Sequence, residues 1–121
     1  MMNGFNANVP IYIQVVEDMK MKIMNGTLKP GDKIASVRES AVDLGVNPNT
    51  IQRAFAELER EGFIRTERAV GRYVADNPQL IKDYKKKEVK KKIDDFLAQM
   101  QLLGMDYEDV LQYLQKYKEE D

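Results

Sequence analysis

There is no histidine, no cysteine and no tryptophan among the 121 residues. Without cysteine, disulfides and thiolate metal sites are excluded. Without histidine the chain lacks the side chain most often used as a general base, as the partner of a nucleophile and as a metal ligand. Carboxylates and lysines remain, but the acids fall on the polar faces of expected helices and no glycine-rich phosphate loop accompanies them. No enzyme, no cofactor and no metal is expected. No apolar run approaches the roughly 20 residues of a membrane span, and no basic stretch leads into an apolar one at the N-terminus, so the expectation is a cytoplasmic chain without a membrane partner. A net charge of -1 does not advertise a polyanionic partner. Clustering of one sign can still build a local field that the total hides, which sends the search segment by segment.

What is present is a composition of 43% hydrophobic and 32% charged residues, that of one small globular domain or a compact module with a helical appendage. Residues 1–9 lack periodicity and are expected to form a flexible arm. From Pro10 onward, Tyr12, Val16, Met19 and Ile23 recur at helical spacing, with Ile11 and Val15 widening the stripe. Asn25-Gly26 ends that helix, and Pro30-Gly31 is a type II turn pair in which proline presets one φ and glycine accepts the positive one. The run "SVRE" from Ser36 to Glu39 is a capping box that opens a second, short helix, with Val37, Ala41 and Leu44 on one face and Gly45 closing it.

The next stretch, "VNPNTIQRAF", restarts a helix almost at once. Asn47 suits the N-cap and Pro48 the first helical position, and Ile51, Ala54, Phe55 and Leu58 form the inward stripe. Two helices joined by "GVN", the first containing small Ala41 and the turn led by glycine, match a helix-turn-helix, where close crossing demands small residues. The stripe leaves Asn49, Gln52, Arg53, Ala56 and Arg60 on the outer side and Thr50 at the N-terminal edge, short polar groups and arginines of the kind that reach base edges and phosphates. After Gly62, residues 63–66 and 72–75 read as two strands around a turn, a hairpin carrying Arg65, Arg68 and Arg72. An arginine-bearing tip suits the minor groove, whose negative potential attracts it, and Arg68 is the foremost candidate.

From Pro10 to about Ala75 the chain resembles the winged helix-turn-helix of the GntR superfamily. The marks are "PIYIQ", "GTLKPGDKIASVRE", "LGVNPNTIQRAFAELEREGFI" and "VGRYV", in the family's order and spacing. "VNPNTIQRAF" is most similar to the small YtrA-like branch. That resemblance implies a mainly α fold with a small β-hairpin, a winged helix-turn-helix followed by a two-helix C-terminal dimerisation tail in place of a large effector domain, and a dimeric bacterial repressor, often encoded beside transporters. Carried over by position, it implies that Arg38 meets the DNA backbone or a base. Asn47, Asn49, Thr50 and Gln52 would start the recognition helix, with Arg53 on its outer face and Arg68 with Ala69 at the wing tip. The chain departs from the family pattern in Ala35 for proline, Gln52 for arginine, Ala69 for glycine and Arg72 for threonine.

Beyond Asn77-Pro78 a long helix is expected, with Val89, Ile93, Phe96, Leu97, Met100 and Leu103 at helical spacing and Gly104 ending it. Asp106 caps a last helix whose stripe is Tyr107, Val110, Leu111, Leu114 and Tyr117. Two helices cannot bury such stripes fully against each other, and a second copy of the chain is the natural cover. The expected organisation is an arm (1–9), a DNA-binding domain (10–76) and a dimerisation region (77–121). Dimerisation is assigned to Val89, Ile93, Phe96, Leu97, Met100, Leu103, Val110, Leu111 and Leu114. A paired reader implies a double-stranded, palindromic DNA operator with half-sites roughly 34 Å apart. Between Lys82 and Lys92 seven lysines face only Asp83 and Glu88, a basic stretch that projects into solvent or along phosphates. The residues after Asn77 are too few to wrap a pocket of roughly 300 Å³, so a small-molecule effector is possible at a dimer cleft but not indicated. Residues 33–74 carry seven Lys/Arg against six Asp/Glu. That modest balance leaves an alternative standing, a winged helix that binds acidic protein partners.

Overall fold

The computed structural model describes residues 4–120. It contains α1 (Ile11–Met24), α2 (Val37–Leu44), α3 (Pro48–Glu61), β1 (Ile64–Glu67), β2 (Gly71–Val74), α4 (Pro78–Leu102) and α5 (Tyr107–Glu120). Two compact units result, Met1–Lys82 and Asp83–Asp121.

In the first unit α3 is the hub, packed on α1, α2 and β1. Its Ile51, Ala54, Phe55 and Leu58 are buried, and they meet a core made of Val15, Val16, Met19 and Ile23 from α1, Ala41 from α2, and Phe63, Ile64 and Val74 around the hairpin. The helix ends follow from local chemistry. The Ser36 hydroxyl accepts from Glu39 N–H while the Glu39 carboxylate accepts from Ser36 N–H, closing the expected box. Asn47 Oδ1 accepts from Asn49 N–H at 2.7 Å, with Pro48 at the first turn. Asp32 N–H reaches Lys29 C=O at 2.9 Å across Pro30-Gly31, whose glycine takes φ +87°.

Gly45 caps α2 as expected, but the close crossing expected of its turn is not what requires it. It sits at φ +67°, and a Cβ built there would meet nothing within 4 Å. The left-handed C-cap, not a close helix crossing, demands glycine in this turn. Ala41, buried at the centre of α2, alone fits the small-residue argument.

Three further features depart from the linear reading. The strands lie one residue closer to the tip than expected, pairing Ile64 with Val74 and Glu67 with Gly71. Residues 31–34 add to the other edge of β2: Gly31 N–H bonds Val74 C=O, Val74 N–H bonds Asp32 C=O, and Ile34 N–H bonds Arg72 C=O. The hairpin base is thereby fastened to the turn that leads into α2. Lys20, on the apolar side of α1, is buried, with its ammonium 2.8 Å from Glu61 and 5.1 Å from the Phe63 ring centroid. A buried ammonium needs such a partner, because leaving it unpaired costs several kcal/mol.

Within the stretch expected to be a flexible arm, residues 1–3 lie outside the described residues. The remainder is tied to α1: Gln14 Oε1 accepts from Asn6 N–H, and Gln14 Nε2 donates to the Asn6 and Val9 carbonyls, each at 2.8 Å.

In the second unit Asp106 Oδ1 accepts from Asp109 N–H while Asp109 Oδ2 accepts from Asp106 N–H, a reciprocal cap that starts α5. Val110 is buried, whereas Val89, Ile93, Phe96, Leu103, Leu111 and Leu114 are exposed. Leu97 and Met100 are half-buried. No described helix is long and apolar enough to cross a membrane.

Candidate nucleic-acid interface

The exposed face of α3 begins with Asn49, Gln52 and Arg53, and Thr50 is half-buried beside them. Their position follows from the stripe beneath, since turning Ile51, Ala54, Phe55 and Leu58 into the core leaves the intervening residues outside. The helix dipole favours anions there, while the N–H groups of Asn49, Thr50 and Ile51 are taken up by Asn47. The Asn47 carbonyl oxygen is committed to the cap, which leaves its amide NH₂ as the group able to donate outward.

Arginines divide into two sets by their partners. Arg60 is bound to Glu57, and Arg65 to Glu67 while also stacking on Tyr73 at 4.9 Å. The hydrogen bond from Arg60, helped by one from Glu61, holds the Glu57 carboxyl down at about 2, and the same bond raises Arg60 above its ordinary value. Among the described residues no carboxylate is paired with Arg38, Arg53, Arg68 or Arg72. The first three are the arginines selected from the sequence, and Arg72 is set apart by being half-buried. The neutralised pair could have been recognised by spacing, three apart on a helix for Glu57 and Arg60 and two apart on one face of a strand for Arg65 and Glu67.

The pairing carries a consequence for titration. Because the folded carboxyl titrates below its ordinary value, the bond to Arg60 is fully formed above that ordinary value and is lost as pH falls through about 2. Arg60→Ala is expected to return the Glu57 midpoint in a carbon-detected NMR titration towards that of an ordinary glutamate, and to change DNA affinity less than twofold.

Arg38 stands in the first turn of α2, where a cation opposes the helix dipole at a cost of about 0.3–1 kcal/mol. A purely structural role does not favour arginine there, and a phosphate contact does. Arg72, expected as part of an arginine-bearing tip, instead lies half-buried with its guanidinium 5.3 Å from the Phe55 ring centroid. It roofs the core. Lys33 was not singled out by the linear pattern. Its side chain runs along β2 towards the hairpin tip so closely that a Cβ at Gly71 would sit 3.0 Å from its Cε, and it shares a cleft with Ser36, Glu39, Val70 and Arg72.

At the hairpin tip Val70 N–H bonds Glu67 C=O at 3.0 Å, and Ala69 adopts φ +62°. The left-handed region costs an alanine about 1–2 kcal/mol, which explains the preference for glycine at such a point. Ala69→Gly relieves that strain and loses part of the gain to a freer unfolded chain. The expected net is a stabilisation of about 0.5 kcal/mol, read as a rise of roughly 2–3 °C in thermal midpoint.

Residues 11–74 match the bacterial regulatory proteins of the gntR family. The chain belongs to the GntR family. It is 36% identical over 117 residues to the HTH-type transcriptional regulator YhcF of Bacillus subtilis, covering 97% of both chains. It is 34% identical over 111 residues to the HTH-type transcriptional repressor YtrA of the same organism, covering 91% of this chain and 85% of that one. Its fold is similar to that of a GntR family transcriptional regulator from Listeria monocytogenes, with a TM-score of 0.82, 38% identity, and coverage of 93% and 98%. The chain is therefore a DNA-binding transcriptional regulator, not an enzyme, of the YtrA-like kind. The protein-binding alternative left open by the charge balance falls with this membership.

Proposed function

We propose that this GntR-family chain is a repressor that binds a palindromic operator as a homodimer in the cytoplasm. The observation that carries the reading is the sorting of arginines. Arg38, Arg53 and Arg68 keep their N–H donors clear of the carboxylates that neutralise Arg60 and Arg65. Donors left free for phosphate, beside a polar helix start, are what a DNA-positioning surface requires. Asn49, Thr50 and Gln52 read base edges from the major groove, with the Asn47 amide as a further donor. Arg38 and Arg53 hold phosphates, and Arg68 enters the minor groove from the turn that Ala69 shapes.

Two such surfaces are brought together by the second unit. Phe96, Met100, Leu103, Met105, Val110, Tyr113, Leu114 and Tyr117 line one open cleft of about 470 Å³, and the exposure of Phe96, Leu103, Tyr113, Leu114 and Tyr117 along it supports an interface there. Val89, Ile93, Phe96, Leu97, Met100, Leu103, Leu111 and Leu114 supply the contact, while Val110, only 4% exposed, has little surface left to give and acts as its floor. Similarity to YtrA, named as a repressor, favours blockade of transcription over activation. Selection of bound duplexes from a random pool, followed by footprinting, tests the proposal. An inverted repeat protected on both halves is expected, and recovery of unrelated sequences with equal affinity would overturn it.

A further inference from the structure

Arg53 does not hang free from α3. Its guanidinium carbon stands 3.9 Å from the centroid of the Tyr12 ring, on the first turn of α1. The stack differs from those of the other arginines. Arg65 has a carboxylate as well as a ring, and Arg72 is drawn in over Phe55. Arg53 alone combines a close aromatic shelf with exposure on the outer face of α3. Ile11, Tyr12, Asn49, Thr50 and Arg53 surround a single surface hollow, so the shelf lies next to the groups assigned to base reading.

A long arginine on a helix surface has many rotamers, part of whose freedom a binding event must remove. A flat ring removes some of it in advance, and it does so without occupying the planar fork's N–H donors, which a carboxylate would consume. Packing of α1 on α3 does not require this ring, since Val15, Val16 and Met19 are already buried there and Tyr12 is half-buried. We infer that Tyr12 is a positioning residue for DNA binding, holding the Arg53 guanidinium flat and ready for a phosphate beside the start of the recognition helix. The inference rests on the reading that Arg53 contacts DNA.

The test is a double-mutant cycle on the full-length protein, with affinity for the selected operator measured by fluorescence anisotropy and thermal midpoints recorded for every variant. Tyr12→Leu and Tyr12→Met are expected to weaken binding about fivefold, while Tyr12→Phe, which keeps the ring, stays within twofold. In an Arg53→Ala background Tyr12→Leu is expected to have no further effect. Losses that multiply would overturn the inference, as would a Tyr12→Phe variant as weak as Tyr12→Leu, or full affinity in both aliphatic variants. Unfolding of both aliphatic variants would also overturn it by making the ring structural. If Arg53→Ala alone leaves affinity unchanged, the assignment of Arg53 to DNA fails and takes the inference with it, an outcome distinct from all the others.

Discussion

Replacing Arg38 and Arg53 together by alanine is expected to reduce affinity for a single operator half-site by roughly 100- to 10,000-fold. Each charge-assisted hydrogen bond to phosphate is worth about 1.5–3 kcal/mol, and tenfold in affinity is about 1.4 kcal/mol. The two residues stand on different helices, α2 and α3, so their losses should come close to adding. At one half-site the slope of log affinity against log salt should fall by about two, and on the complete inverted repeat by about twice that, since each neutralised phosphate contributes roughly 0.9. Misfolding does not offer a competing explanation. Arg38 opposes the dipole of α2, and its removal should leave the thermal midpoint unchanged or slightly higher. Arg60→Ala with Arg65→Ala removes the same formal charge and serves as the control, because Glu57 and Glu67 already neutralise those side chains. Anisotropy titrations at several salt concentrations decide the matter. Equal losses in the two double variants would show that only bulk charge matters and would remove the positional reading.

The contrast shows where sequence is informative and where it is not. Helix boundaries were legible because their causes are local: Ser36 with Glu39, Asn47 with Asn49, and Asp106 with Asp109 close hydrogen bonds within three residues. The core of α3 was legible for the same reason, since Ile51, Ala54, Phe55 and Leu58 state their face by spacing alone. Features made by distant partners were not. Lys20 is buried only because Glu61, 41 positions away, meets it. Residues 31–34 pair with β2 only once the hairpin exists. Tyr12 entered the α1 stripe as a core residue, and its aromatic face turns out to carry Arg53. The candidate DNA surface shares this division. Its outward residues follow from helical period, whereas the separation of available from neutralised arginines needs the side chains placed in space.

The second large effect is expected from the tail. For the proposed homodimer, Ile93→Asp together with Leu114→Asp should yield a monomer, because both side chains are half exposed in the single chain and a carboxylate buried without a partner in an apolar interface is strongly disfavoured. Both positions belong to the second unit, Asp83–Asp121, and the first, Met1–Lys82, has its own core, so its thermal transition should persist. Affinity for an isolated half-site should therefore be retained. Affinity for the complete inverted repeat should fall by roughly 100-fold or more, the advantage that linking two binding modules confers through effective concentration. Sedimentation velocity at micromolar protein, paired with anisotropy on one-half and two-half duplexes, separates the two consequences. Val110→Asp is not a suitable substitute, since Val110 is buried within the chain and a charge there would damage the fold of the second unit itself. A double variant that remains dimeric, or one that becomes monomeric yet binds the full repeat as tightly as before, would detach the apolar face of the tail from operator recognition.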